Sequence, residues 1–141
     1  SLTVIGGEHP NERQFYDEIR NRMDKLNFVE YRGVIRDHHL LKTAIAKSHA
    51  LIMPATNELF GLVFIEAISQ NTPVIYPVNE GITPYLEGKP VGVGVDANSE
   101  QSIRQGIIKL QEEYSAYDKI DRFSNEFDWN KLTEAFSLLY H

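Results

Sequence analysis

Short apolar runs, most of them closed by glycine or proline, alternate along this chain with segments of helical period, and that alternation leaves few folds open. Leu2-Thr3-Val4-Ile5 stops at Gly6-Gly7, Phe28-Val29-Glu30-Tyr31 stops before Gly33, and Ala50-Leu51-Ile52-Met53 stops at Pro54. Pro73-Val74-Ile75-Tyr76 and a run at 91–95 complete the set. Apolar runs of this length read as strands buried on both faces. Between them, Phe15, Ile19, Met23 and Leu26 fall on one helical face, and Asp37 caps a helix through Leu40, Leu41, Ala44, Ile45 and Ala46. Further helices are expected over 61–69 and 83–86. Another is capped by Ser99, with Ser102 at the partner position of a capping box, and runs through Ile103, Ile107 and Leu110. Trp129, Leu132, Phe136 and Leu139 form a last stripe in the tail.

Strands alternating with helices give an α/β fold, a Rossmann-like parallel sheet with helices on both faces. Residues 1–141 are expected to make one domain, large enough to bury a core. Ligands of such sheets meet the loops after the strands. The loops that matter are therefore Gly6-Gly7, 34–36, 55–61 and 79–83.

Composition removes several function classes. The net charge of −6 argues against a nucleic-acid partner, which would call for a basic face. With no cysteine there is no disulfide framework, thiolate metal site or thiol nucleophile, and the five histidines show no zinc-ligand spacing, so no metal is expected. No apolar run is long enough to span a bilayer, and no signal-peptide pattern is visible. Arg20, Arg22 and Lys25 make a basic face too small to argue membrane binding on its own. The chain opens directly on a strand, from which a fragment of a longer protein is expected.

Residues 54–68 read Pro-Ala-Thr-Asn-Glu-Leu-Phe-Gly-Leu-Val-Phe-Ile-Glu-Ala-Ile. The helix is apolar nearly all round and so is expected to be buried, with Glu66 in its middle. An unpaired buried carboxylate is very unfavourable. Glu66 must then reach a cleft, pair with a cation or bind hydroxyl groups such as those of a ribose; a buried ion pair or a more exposed helix edge fits the residues equally. Glu58 and Thr56 lie in the preceding loop, where Glu58 on its own reads as a solvated acid beside the helix dipole. Gly61 permits close backbone approach. The first helix amides, near Leu62 and Val63, have no intrahelical partners and suit a diphosphate.

A glutamate, seven residues, then a second glutamate, with Phe60-Gly61 after the first and Ala67 after the second, resembles the retaining enzymes of glycosyltransferase family 4, the group one glycosyltransferases. The resemblance extends through Val29 to Ile35, the strand ending in Pro54, Asn71-Thr72-Pro73-Val74-Ile75 with Asn71 in place of the usual Gly, Glu80-Gly81-Ile82 where many members have Gly-Gly-Ile, and Phe127-Asp128-Trp129. It implies the C-terminal, donor-binding half of a two-domain GT-B enzyme that uses a nucleotide sugar, of UDP or GDP type, without a cofactor.

By that resemblance Glu58 is the catalytic-site carboxylate against the donor sugar, and Glu66 binds the ribose hydroxyls. The backbone of Phe60, Gly61, Leu62 and Val63, beside Thr56, holds the diphosphate and nearby sugar oxygens. Ile35 and Arg36 meet the base, and Gly6 and Gly7 lie close to the nucleotide, although a plain tight turn explains the glycine pair as well. The family's diphosphate-clamping Arg and Lys come from a segment upstream of residue 1, so the isolated fragment is expected to be inactive. The expected partners are the nucleotide-sugar donor, the N-terminal acceptor domain of the parent and an acceptor of unknown kind. The parent is expected in the cytoplasm, with scope for peripheral membrane contact. A nucleotide-sugar epimerase of the same architecture, a non-catalytic transferase-like adaptor and a nucleotide-binding regulatory domain are the alternatives.

Overall fold

A computed structural model of the chain describes residues 1–8, 11–57, 59 and 61–127, the side chain of Glu126 excepted. The tail stripe from Trp129 to Leu139 and the Asp128-Trp129 end of the aromatic signal lie outside the described residues. The chain gathers into two compact units, Ser1–Leu41 and Lys42–His141.

In the first unit, β1 (Leu2–Ile5) and β2 (Val29–Gly33) pair in parallel through the helix α1 (Arg13–Met23). The register runs Leu2 to Val29, Thr3 to Glu30 and Val4 to Tyr31, then slips so that Ile5 meets Gly33. Such an irregularity re-aims the residues that follow it. The apolar stripe of α1 differs from the one expected. Phe15 is exposed, as is Leu26 beyond the helix, while Tyr16, Ile19 and Met23 are half-buried. Positions 16, 19 and 23 also share one helical face, and turning the helix by one residue lets Tyr16 lay its ring edge-on to Tyr31.

In the second unit, β3 (Leu51–Ile52), β4 (Val74–Pro77) and β5 (Gly92–Val95) form a parallel sheet in that order. All four residues of β4 are buried. Because neighbouring strand residues point to opposite faces, both faces of β4 are covered. The helix α5 (Glu100–Glu112) covers one face, where the backbone of Gly106 comes against Ile75, Val93 and Val95. The helices α3 (Leu62–Ser69) and α4 (Thr83–Leu86) add Phe64, Ala67, Ile68 and Leu86 to the core. Two 3-10 turns, Tyr114–Tyr117 and Ile120–Phe127, add Tyr117 and Ile120.

Asp37 caps α2 (His38–Ala46) as expected, its Oδ1 accepting from the amides of His39 and Leu40. Ser99 caps α5 through the amide of Ser102. The Ser102 hydroxyl, however, does not return to Ser99 as in a capping box but accepts from the amide of Asp96. A serine side chain is shorter than the usual glutamate, and it binds the nearer turn instead. Thr72, buried at the entrance to β4, donates its hydroxyl to the carbonyl of Ile45 at 3.0 Å, so its polar atom is satisfied.

Candidate functional site

The carboxyl ends of the strands in each unit carry the loops that the sequence singles out. In the first unit, Gly6 and Gly7 leave β1 beside the segment that leaves β2. Gly6 donates its amide to Gly33 at 3.0 Å, and Gly7 packs so closely on Val34 that an added Cβ would come within 2.5 Å of its methyl group. The fold thus brings Gly6 and Gly7 together with the segment that carries Ile35, half-buried, and Arg36, exposed.

Two tyrosines brace this turn, and sequence periodicity does not reveal them. The Tyr31 hydroxyl donates to the Gly6 carbonyl at 2.8 Å. Its oxygen meets the Tyr16 hydroxyl at 2.5 Å, and Tyr16 itself reaches the same carbonyl at 3.5 Å. With the Tyr31 proton aimed at Gly6, Tyr16 donates to Tyr31. That hydrogen bond, followed by partial desolvation and the nearby Tyr31 and Glu8, pushes the Tyr16 phenol up to about 12. Arg20 lies 4.7 Å from the centre of the Tyr31 ring, a cation–π distance, and Arg22 pairs with Glu18 on the exposed helix surface. An open depression of about 490 Å³ in this unit is lined by Glu8, Asp17, Arg20, Asn21 and Asp24. Three carboxylates against one guanidinium disfavour an anionic ligand there, and none of the expected donor residues lines it.

In the second unit the segment 53–61 leads from β3 to α3. Glu58 and Phe60, expected at the donor sugar and diphosphate, lie outside the described residues. Thr56 is exposed, and Asn57 holds a left-handed backbone, with φ of 62°. Gly61 is buried and caps α3 with φ 69° and ψ 53°, a conformation that costs a residue bearing a Cβ about 1–2 kcal/mol. Its carbonyl accepts the amide of Phe64 at 2.9 Å, which starts the helix.

The helix itself corrects an expectation. It is not buried all round: Phe64, Ala67 and Ile68 are buried, Leu62 is 63% exposed, and Val63 and Glu66 are half-buried. An apolar sequence marks a helix that resists water, but which face is covered depends on its neighbours, and here they lie on one side. Glu66 therefore keeps access to solvent and does not face the full cost of a buried charge. At three and four residues past Val63 and Leu62, it shares their face of the helix. Leu62, Val63 and Glu66 thus keep solvent access on one side of α3, next to its N-terminal end.

Asn57, after β3, is held from the neighbouring strand's loop. Glu80, after β4, accepts the amide of Asn57 on its Oε1 at 3.1 Å. The Glu80 amide donates to the hydroxyl of Thr83, and that hydroxyl donates to the carbonyl of Pro77. Sequence alone marks the loop 79–83 that carries Glu80, but gives the Glu80 side chain no role. Among the described residues no group of three or more His, Asp or Glu is placed to hold a metal, and no helix is long and apolar enough to cross a membrane.

Comparison with known proteins adds a family and a set of relatives. The family model described as glycosyl transferases group 1 matches residues 1–127. Sucrose-phosphate synthase from Thermosynechococcus elongatus is similar in structure, with a TM-score of 0.79 and 23% identity over 99% of this chain and 37% of that one. Anabaena Alr3699/HepE, solved in complex with UDP and glucose, gives 0.80 and 18% over 98% of this chain and 39% of that one. The C-terminal domain of the group 1 family protein LpcC from Francisella tularensis gives 0.72 and 21% over 88% and 65%. The chain therefore spans well under half the length of the first two. At these identities the likeness establishes the fold, Rossmann-like parallel sheets flanked by helices as in GT-B enzymes. Comparison with curated protein sequences gives no match.

Proposed function

Because this chain belongs to the group 1 glycosyl transferases, we propose that it is the donor-binding part of a retaining enzyme. That enzyme moves a sugar from a nucleotide sugar to an acceptor in polysaccharide, glycolipid or glycan synthesis. One observation carries the reading: α3 starts at a left-handed glycine after β3, and Glu66, one turn beyond its first residues, is only half-buried. A helix N-terminus attracts a diphosphate, and each such anion–dipole contact contributes about 0.3–1 kcal/mol. A carboxylate one turn further along suits the vicinal hydroxyls of a ribose. The Anabaena relative was solved in complex with UDP-glucose, which favours a uridine donor here.

In this reading the amides of Leu62 and Val63 hold the diphosphate and Glu66 holds the ribose. Thr56, Glu58 and Phe60 belong to the segment that meets the sugar and its phosphate. As the bond from the anomeric carbon to the phosphate oxygen breaks, positive charge spreads over the sugar ring and the diphosphate leaves with an extra negative charge. Amide donors already aimed at that leaving group lower the barrier, because no reorganisation is needed at the moment of reaction. The reaction is assigned to a longer parent acting in the cytoplasm; this chain alone is expected to bind donor weakly and not to turn it over.

The test is an NMR titration of the chain with UDP, GDP and ADP, each alone and as its glucose conjugate. Shifts at the amides of Leu62, Val63 and Glu66, lost in Glu66→Ala, are the expected result and identify the base. Silence at millimolar ligand, repeated after the natural upstream segment is restored, would overturn the donor-site reading.

A further inference from the structure

We propose that Glu80 is a positioning residue of the donor site: its carboxylate, fixed at the end of β4, holds the segment after β3 in the shape that receives the donor sugar. This rests on the donor-site reading above. Three observations support it. The Glu80 backbone is anchored through both its polar groups: the Thr83 hydroxyl bridges the Glu80 amide and the Pro77 carbonyl at 3.0 and 3.1 Å, and the Glu80 carbonyl accepts the Thr83 amide at 3.0 Å. Pro77 ends the fully buried β4, so the anchor is rigid. From that anchor the side chain reaches the neighbouring segment and takes the Asn57 amide at 3.1 Å.

Asn57 is where that segment needs holding. Its backbone is left-handed, a conformation that asparagine tolerates better than other residues bearing a Cβ, and a hydrogen bond to its amide from outside the segment helps to fix it there. The amide held belongs to the residue directly before Glu58 in the chain. Aspartate has one methylene fewer and would not reach from the same anchor, and glycine offers no acceptor. Glutamine keeps both length and acceptor oxygen while removing the charge. Glu80 and α3 thus serve different halves of the donor: the helix end holds the nucleotide, and Glu80 shapes the segment that meets the sugar.

The experiment compares the unsubstituted chain with Glu80→Ala and Glu80→Gln, titrated with UDP and UDP-glucose by NMR. The amides of Ile75 and Val93 report that the sheet is intact. Glu80→Ala is expected to lose hydrogen-exchange protection at the Asn57 amide and to weaken UDP-glucose by about three- to tenfold, the worth of one net hydrogen bond, with UDP unchanged. Glu80→Gln is expected to restore both. Equal weakening of UDP and UDP-glucose in Glu80→Ala, no weakening of either, or failure of Glu80→Gln to rescue would overturn the positioning role and leave the donor site standing. If the unsubstituted chain binds neither ligand, with or without its upstream segment, the donor-site reading falls and this role falls with it.

Discussion

The side-chain Oδ1 of Asn71 accepts the backbone amide of Ile120 at 2.8 Å, across 49 residues of sequence. The family resemblance leads one to expect glycine at position 71, and the structure shows both why glycine suits the position and what asparagine adds. Its φ is 58°, and it follows the C-cap of α3, where its amide meets the carbonyl of Ile68 and the amide of Thr72 meets that of Ala67. This is a Schellman ending, whose left-handed residue is usually glycine and sometimes asparagine. Asparagine meets the backbone need and also secures the turn that buries Ile120.

It follows that Asn71→Gly, although it relaxes the backbone, should destabilise the chain by about 1 kcal/mol through the lost acceptor. Asn71→Ala should cost about 1–2 kcal/mol more, from the left-handed backbone. Urea unfolding of the three chains checks the order. A glycine variant as stable as the parent would mean that the Ile120 contact contributes nothing.

The pair of tyrosines on Gly6 gives a pH dependence of definite sign. Tyr16 is pushed up to about 12, so the folded chain holds its phenolic proton more tightly than the unfolded chain does. Below about pH 10 both states are protonated and the contribution is fully present. Between about pH 10 and about 12 the unfolded state loses its proton first, and the contribution falls away. Tyr31→Phe removes the main cause and should bring the Tyr16 titration down toward the ordinary tyrosine value. NMR titration of the Tyr16 ring carbons in both chains tests this; an unchanged midpoint would show that Tyr31 is not the cause.

Those tyrosines also mark where sequence reading ends. The parallel α/β fold and the loops at its strand ends were legible because apolar runs closed by glycine or proline depend only on near neighbours. The Asp37 cap was legible for the same reason. The grip of Tyr31 on Gly6 spans 25 residues and that of Glu80 on Asn57 spans 23, so both depend on which loops the folded chain sets side by side. The apolar sequence of α3 announced burial but not that Leu62 and Glu66 would keep access to water. Tyr16 in place of Phe15 shows the same limit, since two stripes offset by one residue satisfy the same period.

The two glycines of β5 should differ in tolerance. An added Cβ at Gly92 would lie 1.9 Å from the carbonyl oxygen of Val74, its own ladder partner in the buried strand. Only separation of β4 and β5 relieves that clash, and overpacking of this kind costs about 1–3 kcal/mol or more. At Gly94 the nearest atom is a methyl group of the half-buried Val78, at 2.8 Å, and a side chain can turn aside. Gly92→Ala should therefore lower the thermal midpoint clearly more than Gly94→Ala does. Equal effects would show that the strand contact is looser than the structure has it.

Gly61 joins stability to the proposed function. With φ at 69° and ψ at 53°, it turns the chain from the segment after β3 into α3 and thereby sets where the first helix amides point. Gly61→Ala should cost about 1–2 kcal/mol if the left-handed backbone is kept. If the backbone instead relaxes, stability is partly spared, but the amides of Leu62 and Val63 turn away from a common point. The two cases separate by measurement. A destabilised chain whose UDP affinity is unchanged kept its geometry, whereas a chain of near-parent stability that binds UDP several-fold more weakly gave it up. Asn57→Gly is the control, since it relaxes a left-handed residue that the helix amides do not depend on, and it should leave UDP binding unaltered. A Gly61→Ala chain that matched the parent in both stability and UDP affinity would show that the left-handed start of α3 serves neither.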